Sequence, residues 1–89
     1  MKRLSRTNQF KKDVKRMLKR GKDLAEFKFV ITQLVEAHEL AVHYRDHALV
    51  GQYKGTRECH IAPDWLLIYE MTDTEVILIR TGTHTDLFA

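Results

Sequence analysis

Eighty-nine residues, 44% apolar and 30% charged, make a single globular domain with a modest core and exclude a disordered chain. The one cysteine, Cys59, rules out an internal disulfide and a zinc ribbon, and no apolar run approaches the roughly 18–20 residues of a membrane span. Net charge is only +3, but residues 1–22 hold ten Lys/Arg against one acid, Asp13, and the remainder holds five against eleven. That asymmetry favours a polyanion partner for the basic end: nucleic acid, ribosome or an acidic protein. A merely solvated helix face is the competing reading, and ten like charges in so short a stretch weigh against it. The first twenty residues have no apolar segment of the secretory kind, so a cytoplasmic location is expected.

In chain order, Met1 to Arg6 reads as an edge strand or a frayed end. From Thr7 the pattern turns helical, with Phe10, Val14, Met17 and Leu18 on one stripe. Thr7 or Asn8 caps its start, and Gly21 stands at its C′ position. Lys11, Lys12, Lys15, Arg16, Lys19 and Arg20 form its basic surface. Asp23, with Glu26 in the capping-box position, opens a second helix carrying Leu24, Phe27, Val30, Ile31, Leu34 and Val35. A short connection predicts that the two helices pack as an antiparallel hairpin.

Glu39 to Thr56 loses all periodicity and reads as a long functional loop, with a short strand near Gln52–Lys54. Three strands follow: Arg57 to Ile61, Trp65 to Met71 and Glu75 to Thr81, with turns at Ala62-Pro63-Asp64 and Thr72-Asp73-Thr74. Alternation puts Val76, Leu78 and Arg80 on one face of the last strand, and Ile77 and Ile79 on the other. Gly82 ends it, and His84 to Phe88 forms a turn or short strand. The expected architecture is α+β: a two-helix hairpin on a small twisted antiparallel sheet, one domain over residues 1–89.

His47, His60 and His84 share the C-terminal half with Asp64 and Arg80. Cleavage of RNA by internal transfer needs such a set: a base for the 2′-hydroxyl, an acid for the departing 5′-oxygen, and a cation for the phosphoryl oxygens. Histidine serves as either acid or base near neutrality, and arginine offers a planar fork of donors to phosphate. Pairing register decides whether the two parts of the set share one end of the sheet. The blander readings are a satisfied strand residue for His60, a loop residue for His47, core packing for Trp65 and a packed terminus for Phe88. His38 and His43 read as surface histidines. Without HxH or HExxH spacing no metal ligation is expected, and Cys59, in mid-strand, is no nucleophile.

The runs Arg45-Asp46-His47-Ala48-Leu49, Gly51 to Ile61, Pro63-Asp64-Trp65, Leu67-Ile68-Tyr69 and Arg80 to Phe88 together closely resemble the YafQ branch of the RelE/ParE toxin superfamily. Ala48 and Tyr53 depart from the usual Pro and Trp. The resemblance implies a toxin of a type II toxin–antitoxin pair, monomeric when free and neutralised by a cognate antitoxin. It further implies a ribosome-dependent endoribonuclease that cuts mRNA in the A site of the 70S ribosome with neither metal nor cofactor. Carried over residue by residue, His47, His60, Asp64, Arg80 and His84 would form the catalytic set, with Trp65 and Phe88 positioning substrate. His84 would be the acid, His60 or Asp64 the base, Arg80 the phosphate stabiliser and His47 an orienting or charge-stabilising group. The basic helix would face rRNA. Two other readings stand beside this one: a ParE-like toxin that binds gyrase without cutting RNA, and a plain basic nucleic-acid-binding module.

Overall fold

Five consecutive apolar residues, Trp65 to Tyr69, are all buried. Side chains of a strand alternate between faces, so burial of every one requires a central strand covered on both sides. The computed structural model, which describes residues 1–88, shows that arrangement. Its elements are β1 (Arg3–Arg6), α1 (Asn8–Lys19), α2 (Ala25–Val35), β2 (His47–Ala48), β3 (Arg57–Ala62), β4 (Trp65–Met71), β5 (Glu75–Gly82) and α3 (His84–Phe88). The sheet order is β1-β5-β4-β3-β2, with β4 in the middle. Helices α1 and α2 cover one face over a core that includes Phe10, Met17, Phe27, Trp65 and Tyr69. On the opposite face, Leu66 and Ile68 pack with Leu87 of α3 and with Leu49, Tyr53 and Ile79. The α+β class is as expected.

Local chemistry explains the helix ends. Thr7 caps α1, its Oγ1 accepting from Phe10 N–H at 3.0 Å, and the same hydroxyl donates to the Ile79 carbonyl at 2.7 Å. Gly21, at φ 80°, closes α1 with bonds from Gly21 N–H to Leu18 O and from Lys22 N–H to Met17 O, a Schellman motif. Asp23 accepts from Ala25 N–H at 2.9 Å at the start of α2. Glu26 does not complete a capping box: its carboxylate is taken by the Tyr44 hydroxyl. The two helices meet where Phe10 stacks on Phe27, and Phe27 in turn stacks on Trp65.

Four expectations are corrected. Met1–Arg6 does hold an edge strand, but β1 pairs parallel to β5, so the sheet is mixed. Consecutive hairpins force antiparallel pairing; β1 reaches β5 from the far end of the sequence and is under no such constraint. Gln52–Lys54 is no strand: Gly51–Tyr53 is a 3-10 turn, and the short strand of this region is β2. His84 to Phe88 is a helix. Finally, Arg80 does not share a face with Leu78. Tyr69 pairs with Leu78 and Ile68 with Arg80, so Ile79 is an extra, bulged residue. The bulge moves Arg80 to the face of Ile68, the one turned away from α1 and α2.

Beyond the bulge, Thr81 returns to the helix-covered face and is fully buried. Its hydroxyl donates to Leu66 O at 2.6 Å and accepts from Trp65 Nε1 at 2.8 Å. Thr81→Val keeps the shape and strands both partners. Its expected cost is about 2 kcal/mol, read as a lower midpoint in urea unfolding; an unchanged midpoint would mean that the hydroxyl holds nothing.

Candidate active site

Register alone assembles the site. His47 of β2 pairs with Glu58 of β3, Glu58 with Ile68 of β4, and Ile68 with Arg80 of β5. Paired residues share a face, so these four form one row across the sheet, with Glu58 and Arg80 two strands, or roughly 10 Å, apart. The next row is His60, Leu66 and Gly82, and α3 starts directly after it. His84, on the first turn of α3, completes a line of imidazoles. Ring centroids are 6.4 Å apart for His47 and His60, and 5.9 Å for His60 and His84. Phe88, half-exposed, stands 6.3 Å beyond His84 with its ring edge-on to Tyr53.

Each histidine is held differently. Asp64, in the Pro63-Asp64 turn, receives both the backbone N–H of His84 at 3.1 Å and its Nδ1 at 3.0 Å. These bonds to His84 hold the Asp64 carboxyl below its ordinary value. With Nδ1 so engaged, Nε2 of His84 is left to face outward. His47 sets Nδ1 on the Arg45 carbonyl at 2.7 Å and Nε2 on Glu58 Oε2 at 3.0 Å. Both nitrogens of the ring are thereby engaged. His60 Nε2 lies 3.9 Å from the same Glu58 oxygen, too far for a hydrogen bond. Burial is the main cause that lowers the His60 pKa; Glu58 opposes it, while Arg45, His84 and His47 add to it. His60 is therefore a neutral ring at neutral pH, ready to accept a proton.

Arg80 is fixed from α1. Its Nε and Nη2 donate to the two oxygens of Asp13, each at 3.0 Å. Asp13 also accepts from Thr81 N–H at 3.2 Å and Gln9 Nε2 at 3.0 Å. Burial pushes the Asp13 carboxyl up, but Arg80, Gln9 and the Thr81 N–H outweigh it and the net shift is downward. Nη1 of Arg80 takes no part in this fork, and Tyr53 adds a side-chain contact that, after Asp13, helps hold the Arg80 pKa up. A second clamp holds α3: Arg20 grips Asp86 through two bonds of 2.6 and 3.1 Å, and Arg16 approaches it at 3.6 Å. Arg20 chiefly holds the Asp86 carboxyl far below the usual range. Asp86 also forms a capping box with Thr83, and its Oδ2 lies 2.9 Å from where a Cβ on Gly82 would sit.

The expected residues thus divide. His47, His60, Asp64, Arg80 and His84 lie on one face, with Phe88 at the rim. Trp65 does not join them: it is buried in the helix-side core and reaches the site only through Thr81. Of the basic surface, Lys11, Lys12, Lys15 and Lys19 are exposed, whereas Arg16 and Arg20 are engaged by Asp86. Glu58, Asp13, Tyr53 and Asp86 escaped the sequence reading. Two had a signal. Glu58 stands two residues from His60, hence on the same face of a strand, and Asp13 is the lone acid of the basic end, placed between Phe10 and Met17 on the apolar stripe. Among the described residues no group of three or more His, Cys, Asp or Glu is arranged to hold a metal ion.

Residues 2–89 match the protein-family model described as bacterial toxin of type II toxin–antitoxin system, YafQ. The chain is 45% identical over 83 residues to the mRNA interferase toxin YafQ of Escherichia coli K12, spanning 92% of this chain and 90% of that one. It superposes on the crystal structure of YafQ from E. coli BL21(DE3) with a TM-score of 0.95, at 40% identity over the whole of both chains. YafQ in the E. coli DinJ–YafQ complex gives 0.92 at 41% identity, again over both whole chains.

Asp13, Asp64 and Asp86 all have lowered pKa values, so the stability they add is complete above about pH 4 and is lost as pH falls through those lowered values. Asp13→Asn removes one of these contributions and leaves Arg80 without its counter-charge, at a cost of about 3 kcal/mol. Urea titrations from about pH 6 down to about pH 2 should show lower stability and a shallower pH slope; a variant that follows the wild-type slope would refute the assignment.

Proposed function

The chain belongs to the bacterial YafQ family of type II toxin–antitoxin toxins and is an endoribonuclease; we propose that it cuts mRNA in the ribosomal A site by metal-independent acid–base catalysis. The observation that carries this reading is the line of three imidazoles beside an arginine fixed by a buried carboxylate. His60, kept neutral, takes the proton of the 2′-hydroxyl as O2′ bonds to phosphorus. The P–O5′ bond breaks on the opposite side, and Nε2 of His84 protonates the departing oxygen, leaving a 2′,3′-cyclic phosphate and a 5′-hydroxyl. Asp64 orients His84 instead of acting as the base, because its Oδ1 is already committed to that residue. Arg80 neutralises the phosphoryl oxygens, His47 orients the row through Glu58 and the Arg45 carbonyl, and the exposed ring of Phe88 offers a face for a splayed base.

A ribosome as partner is supported by Lys11, Lys12, Lys15 and Lys19, an exposed set suited to rRNA phosphates. A cognate antitoxin would neutralise the toxin, as the DinJ–YafQ complex suggests. Among the described residues no helix is long and apolar enough to cross a membrane.

Primer extension on mRNA-programmed ribosomes tests the reading. Wild type should give discrete A-site cuts that persist in EDTA at Mg²⁺ levels restored for the ribosome. His60→Ala and His84→Ala should each fall about 10²–10⁴-fold with fold and ribosome binding retained. The acid limb of kcat/KM should lie below about pH 6.5, because His60 must be neutral to accept a proton and its pKa is lowered. Toxicity surviving both substitutions would point instead to a ParE-like binder, and activity that returns only with a transition metal would refute metal independence.

A further inference from the structure

His60 is also a wall of a second opening. It helps to line a cleft of about 440 Å³ together with His43, Arg45, Ile61, Ala62 and Pro63. That size lies within the roughly 300–1,000 Å³ of small-ligand clefts. Three of its six walls carry cationic or protonatable groups, none carries a carboxylate, and Pro63 and Ala62 supply a small apolar patch.

Arg45 is the unusual member. Its backbone is left-handed, at φ 53° and ψ 42°, a conformation that glycine or asparagine adopts more readily. The turn uses only the main-chain atoms of Arg45: its N–H donates to Val42 O at 2.9 Å, and its carbonyl accepts from the His47 side chain at Nδ1, 2.7 Å away. Glycine would serve both bonds with less strain, so neither accounts for the side chain. The other arginines of the C-terminal half are held by acids, Arg57 by Asp46 and Arg80 by Asp13. Among the described residues the exposed Arg45 guanidinium has no such partner. A strained, uncompensated cation at the mouth of a cleft walled by the general base is a ligand contact in waiting.

An RNA strand with its scissile phosphate over His60 and His84 must continue past His60 on one side. We infer that it continues into this cleft, where Arg45 binds the next backbone phosphate of the mRNA and the adjoining nucleotide lies against His43 and Pro63. The inference rests on the nuclease reading above. A guanidinium fork matches phosphate oxygens, and no acid lines this cleft; Glu39 and Asp46 lie with Arg45 on a neighbouring opening without pairing with it.

Arg45→Gly tests it without threatening the fold, since glycine relieves the left-handed strain; thermal unfolding should shift upward or not at all. In cleavage of mRNA-programmed ribosomes, KM should rise roughly tenfold with kcat held within about twofold, and Arg45→Lys should recover most of the loss. The dependence of log affinity on log salt should become shallower by about 0.7. Wild-type KM and salt slope in Arg45→Gly would overturn the inference. So would a fall in kcat alone, which would mean that Arg45 acts through His47 or His60. An equal loss of affinity for ribosomes with an empty A site would move the contact to rRNA and overturn it too. A wild type that leaves programmed ribosomes uncut would instead remove the nuclease reading itself.

Discussion

The carboxylate of Asp13 is the fixed point of the molecule. It comes from a helix otherwise covered in lysine and arginine, and it is fully buried with four donors converging on it. Beyond the end of β1, the outer edge of β5 has no strand neighbour, and Thr7 and Asp13 of α1 accept or donate where a strand would have done so. One ion pair therefore seals a sheet edge, sets the position of α1 and aims Arg80. A buried pair of this kind contributes less to stability than to geometry, because desolvation offsets most of its attraction. What it secures is a guanidinium held at a fixed place on the face of Ile68.

Helix α1 has a second hold on the same face, through Arg16 and Arg20 on Asp86. Asp86 caps the short helix that carries His84 and Phe88, and Gly82 is needed so that the carboxylate fits. The basic end of the chain thus has two populations of charge. Some of it is internal scaffolding, matched to acids near the far end; Lys11, Lys12, Lys15 and Lys19 stay exposed. Composition alone assigns all of it to a partner.

How much of this was legible in the sequence follows from which physical signals are local. The apolar stripe of α2, the Gly21 stop and the unbroken apolar run Leu66–Tyr69 are local patterns and hold; in α1 the stripe holds for Phe10, Val14 and Met17, while Leu18 is exposed. The set of His47, His60, Asp64, Arg80 and His84 was legible as residue types and spacing, strengthened by family resemblance. Its geometry was not, because a bulge at Ile79 decides which face Arg80 takes, and one residue's slip leaves no mark in composition. The direction of β1 was equally hidden, being fixed by contacts with residues about seventy positions away. Trp65 shows the converse: aromatic, adjacent to Asp64 and still interior, since its place on β4 puts it under Phe27.

The β1–β5 pairing has a consequence for the time at which this protein becomes what it is. Arg3 pairs with Glu75, Asp13 holds Arg80 and Arg20 holds Asp86, each closing a loop of more than sixty residues. Such contacts form late, after most of the closure entropy has been met by more local structure. A nascent chain that has made both helices and even β4 still lacks an aimed arginine and an anchored His84. Synthesis itself therefore acts as a delay: the groups that make up the site come together only after most of the chain has been made.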